Sequence, residues 1–297
     1  FSEARMENCT AHGAGGGIIA RGHSSAVFIR DATLTNLHAS GPVVESYDNK
    51  VSGGGIAVDQ GQLMVVNSVF MGLRASSEAS IASGGAVAIG SASVQIRDSI
   101  FSDIKVFATS QQANGGAISV TASTSASLLL MTNCTFRNVS TRSIMGNAYG
   151  GAIIMENFAF ANVSTTHIFD ASAIGYNGAG GAILMATQSK LDMHNSLIEG
   201  ATAYSSSVGS DASSPSQASG GAIHFNGREL SLSSTTIKKA LSHSLSGLAF
   251  GGGIAAFSGE ISIENGFITD ARAVGASGAG GGALYASVPV LMKDTTI

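Results

Sequence analysis

Apolar residues recur along this chain in short period-2 segments. Residues 63–75 read LMVVNSVFMGLRA and residues 94–106 read VQIRDSIFSDIKV. Later copies read LLMTNCTFRNV, LDMHNSLIEGA, LSLSSTTIKKA and ISIENGFITDA. The shared pattern is apolar-x-apolar-x-Asn/Asp-Ser/Thr-x-Phe/Ile-x-x-apolar. Alternation of this kind places every second side chain on one face and predicts strands, not helices. Each block follows a second signature that begins with paired glycines. The signature opens at Gly15, Gly53, Gly84, Gly115, Gly150, Gly180, Gly220, Gly251 and Gly281, and the residue three places on is Ile, Val or Leu. The segment Ile118-Ser119-Val120 and its equivalents then supply two apolar residues on one face.

Internal repetition at a period of about 30 to 40 residues is the mark of a solenoid, because one repeat cannot bury its own apolar face and must stack on its neighbours. Gly53 to Phe70, Gly84 to Phe101 and Gly220 to Ile237 are the same distance apart, whereas the stretch before each signature varies, as in residues 40–52 and 204–219. Length variation confined to one point of the repeat maps to one corner of the coil. The prediction is an all-β fold: a right-handed, single-stranded parallel β-helix of about nine coils. Each coil has three short strands and the variable loops lie on one corner. Residues 1–297 form one continuous domain. The fifth repeat matches poorly around residues 162–169 and predicts an irregularity there.

Composition narrows the picture. Charged residues make up 11% of the chain and Gly is abundant, so backbone hydrogen bonds and close packing of small side chains must hold it. The net charge of −4 offers no basic face for nucleic acid. No apolar run approaches the roughly 18 residues of a membrane span. The chain opens on Phe1 and stops at Ile297 within a repeat, which predicts a piece of a longer solenoid. Its ends would be covered by further coils or by neighbouring subunits.

Candidate chemistry is sparse. The glycine pairs lack the helix and Lys of a phosphate cradle and read as sharp turns between closely packed coils. By strand parity the column Asn8, Asp31, Asn67, Asp98, Asn133, Asn195, Asn265 and Asp294, with Ser234 replacing it once, points inward at a corner. There it would bond the turn backbone and its equivalents in adjacent coils. Its three Asp residues are too scattered for a carboxylate or calcium site. Seven histidines share no position in neighbouring coils, so no metal site, cofactor or catalytic residue is implied. Cys9 and Cys134 follow Asn at what reads as the same corner, four coils apart. At about 4.8 Å per coil they lie beyond disulfide reach. Among the four Asn-x-Ser/Thr sequons, Asn138 and Asn162 are candidate glycosylation sites, while Asn8 and Asn133 would be shielded. One outward column, with Ile19, Ala57, Ala88, Ser119, Ile154, Leu184, His224, Ala255 and Tyr285, is too apolar for open solvent. It predicts cover by the variable loops, the alternative being another chain.

The Gly-Gly-Ala-Ile signature followed by a Phe-containing block resembles the repeat of chlamydial polymorphic outer membrane proteins and of similar long surface proteins of algae and protists. The Phe-x-x-Asn half of that motif is absent, since Phe70, Phe101 and Phe136 are followed three residues later by Leu73, Ile104 and Val139. The resemblance implies an extracellular or cell-surface solenoid without catalytic activity, serving as a stalk, filament subunit or adhesin passenger. Its partners would be further coils, neighbouring subunits end to end, surface glycans or other surface proteins. The alternative is a polysaccharide-binding or pectate-lyase-like enzyme, which would need four or more charged side chains converging in one groove.

Overall fold

The computed structural model describes residues 5–12, 16–22, 25–41, 51–121, 126–206 and 216–297. Among these every regular element is a strand, and every pairing between strands is parallel. Four sheets run the length of a β-solenoid of about eight turns. Two sheets contain nine strands each, a third contains eight, and the fourth contains sixteen because it takes two strands from most coils.

One coil shows how residues set the path. Ala82–Ser83 forms a short strand, Gly84 and Gly85 turn the chain, and Val87–Ile89 enters the sixteen-stranded sheet. After Gly90 the chain continues as Ala92–Arg97, turns at Asp98, runs as Ile100–Ser102, turns at Asp103 and leaves as Lys105–Ala108. The sequence pattern treats Phe101 to Val106 as one strand. The structure divides it at Asp103, whose φ of 56° bends the chain between two sheets. The two-residue strand before the signature is too short to carry periodicity, so the pattern counts it within the variable corner.

Register is continuous from coil to coil. Phe70, Phe101 and Phe136 are in register and stack with ring centroids 4.7 and 4.8 Å apart, and Ile168, Ile198, Ile237 and Ile268 extend the column. All seven of these side chains are buried, giving one unbroken apolar core along the axis. The expected irregularity at residues 162–169 does not occur. Ala159–Ser164 pairs in register with both neighbours, and Thr165 takes the corner conformation with φ 50°. The corner conformation tolerates residues other than Asn, so the motif weakened there without disturbing the backbone. Irregularity lies instead between Phe225 and Asn226 and between Asn226 and Glu229, where the register against the next strand slips.

Candidate binding groove

The recurring residues fall into place first. Gly15 lies outside the described residues. Gly53, Gly84, Gly115, Gly150, Gly180, Gly220, Gly251 and Gly281 all have positive φ, 59° at Gly84, a conformation L side chains adopt reluctantly. The second glycine is confined by space in every pair but the last. A Cβ on Gly116 would collide with the carbonyl oxygen of Gly151 in the next coil.

The Asn/Asp column does not point inward. Asp31, Asn67, Asp98, Asn133, Asn195, Asn265 and Asp294 are all exposed, with φ between 47° and 53°. Parity counting assumes an extended chain, and a left-handed residue breaks it: its side chain swings outward and the next one turns in. The amides then bond along the outside of the rod. Asn67 Nδ2 donates to Asp31 Oδ1 at 2.6 Å, and Asn133 Nδ2 donates to Asp98 Oδ1 at 2.8 Å. The inward position belongs to the following residue. Ser68, Ser99, Thr166 and Ser196 are buried, and each donates its hydroxyl to the backbone oxygen two residues back. The Asn/Asp-Ser/Thr pair in the repeat carried that signal.

Asn8 is not in this column. Pairing of Glu7 with Thr35 and of Thr10 with His38 sets Asn8 opposite Asn36, at the next corner. That second left-handed column contains Asn8, Asn36, Gly72, Asp103, Asn138, Asp170, Gly200, Lys239 and Asp270. Its glycines and Lys hid it from a search for Asn. Consequently Cys9 and Cys134 occupy different corners. Both are free, with Cys9 half-buried and Cys134 buried. Burial pushes the Cys134 thiol up to about 11.

All four sequon asparagines, Asn8, Asn133, Asn138 and Asn162, are exposed, so the expected shielding of Asn8 and Asn133 is corrected. Asn138 Nδ2 donates to Asp103 Oδ1 at 2.6 Å.

The apolar outward column is covered from within the chain over most of its length. At the glycine pairs the short strand before the signature packs against strands that follow it. Ile154, Ala179 and Leu184 form a buried cluster there, with Tyr149 and Ala186 against it. Ile19 remains exposed. Towards the last coils this corner turns aromatic. The His224 ring lies 5.3 Å from Phe257, and Phe250, Phe257 and Tyr285 contact one another with centroids 4.7 to 5.9 Å apart. Ser219 Oγ and His224 Nδ1 are 2.7 Å apart, and burial depresses the His224 imidazole to about 4.

Beside this cluster lies a groove of about 600 Å³. Its origin is the register slip. In two of the three coils that line it, Ile223–Ser233 and Ile254–Glu264 run as continuous strands of 11 residues where the other coils make two shorter ones. Gly227 and Gly259 contribute no side chains to fill the space. Gln188, Asn226, Arg228, Glu229, Ser258 and Glu260 line it. Glu229 and Glu260 are paired positions on adjacent strands, and Lys190 Nζ bonds Glu229 at 2.9 Å. A smaller hollow of about 290 Å³ continues from Glu229 and Glu260 to Pro289, Val290 and Leu291. No group of His, Cys, Asp or Glu suited to a metal ion occurs among the described residues.

Comparisons with models of protein families, with curated proteins and with solved structures find no match.

Proposed function

We propose that this chain is a non-catalytic structural element of an extracellular or cell-surface protein: a rod that serves as a stalk, filament subunit or adhesin passenger. One observation carries the reading. The recurring polar side chains bond to their own equivalents one coil away instead of converging on a point, as the Asn67–Asp31 and Asn133–Asp98 amide contacts illustrate. A molecule built this way spends its side-chain chemistry on length and stiffness. The surface setting is supported by the resemblance of the Gly-Gly-Ala-Ile signature to chlamydial polymorphic membrane protein repeats. Kinship with those proteins is part of the proposal. The partners are further coils of the same kind, in the same chain or in the next subunit.

The test is removal of one whole repeat, residues 84–114. In a rod the flanking coils rejoin in register, and the chain stays folded but shortens by roughly 4.8 Å in small-angle scattering. Attachment by cells displaying it persists, and antibodies reach it on intact cells. Loss of folding, or a chain found only inside cells, would overturn the proposal.

The enzymatic alternative would draw on the groove, where three charged side chains, Arg228, Glu229 and Glu260, meet. Release of reducing ends from any of a panel of polysaccharides would favour it over the rod.

A further inference from the structure

We propose that the groove over the last coils binds a neutral oligosaccharide. The inference deepens the adhesive part of the function proposed above and rests on it for its setting. A sugar ring offers adjacent hydroxyls, each both donor and acceptor, around an apolar C–H face. Recognition therefore needs side chains that give and take paired hydrogen bonds, together with an apolar wall. Both are present. Gln188 and Asn226 are exposed amides, and Arg228 carries a planar fork of donors. Glu229 and Glu260 place acceptors on neighbouring strands, in register. No ion pair of Arg228 or Glu260 is found among the described residues, so their hydrogen-bonding capacity is open to a ligand.

The apolar wall stands at one end, in the adjoining hollow, where Pro289, Val290 and Leu291 line the surface. Leu291 there is 67% exposed. Lys190 and Arg228 balance Glu229 and Glu260 in charge, so an acidic sugar gains no net attraction and a neutral one meets no penalty. The slip that opens the groove fits this role, because bulges re-aim side chains at sites of this kind. The slip occurs where the two coils could otherwise have kept the regular turn of their neighbours.

Calorimetric titration of the full chain with cellohexaose, chitohexaose, mannohexaose and, as the acidic arm, hexagalacturonate tests the assignment. At least one neutral hexaose should bind at millimolar concentration or below. Asn226→Ala, Glu260→Gln and Leu291→Ala should each weaken it about ten-fold, the loss of one good contact. Arg97→Ala, exposed on a distant coil, should leave it unchanged, and circular dichroism should show each variant folded. Failure of all three neutral sugars, tighter binding of hexagalacturonate, or full affinity in the three groove variants would overturn the site. A folded rod that binds none of them would refute the groove and leave the structural role standing. A chain that binds sugar but never reaches the cell surface would do the reverse.

Discussion

Gly116 and Thr165 show two ways in which single residues serve the coil. Gly116 is required by space, since the Gly151 carbonyl oxygen occupies the volume its Cβ would need. A main-chain atom cannot rotate out of the way, so adjacent coils must separate locally. Gly116→Ala should therefore destabilise the fold by about 2 kcal/mol or more, read as a fall in melting temperature. An unchanged melting curve would show that the coils have slack there. Thr165 is a matter of conformation. It adopts φ 50° with a β-branched side chain, where the equivalent corners carry Asn133 and Asn195, and this region disfavours branching. Thr165→Asn should stabilise by about 0.5–1 kcal/mol, measured by chemical denaturation.

At the scale of the element, each strand is held from two sides. Inward side chains stack in register, as the phenylalanine column does, and outward corners are tied by Asn/Asp contacts. At the glycine pairs the strand before the signature packs on the strand after it, which sets Ser219 against His224, while Phe257 lies beside the ring on the adjacent strand. Folding holds this imidazole below its ordinary 6.5, at about 4, through burial. The stability tied to neutral His224 is therefore present above pH 6.5 and is lost as pH falls from 6.5 through 4. The melting temperature should drop over that interval, and His224→Phe should flatten the slope. Parallel slopes in the two proteins would show that carboxylates elsewhere govern the acid response.

For the whole molecule, nine stacked strands imply a rod about 38 Å long at roughly 4.8 Å per step. The final coil leaves apolar side chains in solvent, with Ile297 58% exposed and Met292, in register with core Ile263, 40% exposed. These lie beside strand edges that offer unpaired backbone groups. A chain of this sequence should associate through that end. Sedimentation should show concentration-dependent association, reduced by Met292→Lys. A sharp monomer boundary at high concentration would count against it.

The sequence by itself determined the solenoid, its parallel strands and the turns at the glycine pairs and at the first Asn/Asp corner. Those features depend on local periodicity and on glycine at fixed intervals, and both repeat many times in one chain. Direction at the corners was not legible. A left-handed residue reverses strand parity, so Asn67 and Asn133 point outward while Ser68 and Cys134 point inward. Asn8 was assigned to the wrong corner because its neighbour in space is Asn36, which only pairing between coils identifies. The groove was hidden for the same reason. Gln188, Asn226 and Glu260 lie on three successive coils, far apart in the chain, and a slip in register brings them together. Tertiary structure decides such sites because a groove is made by what adjacent coils fail to fill.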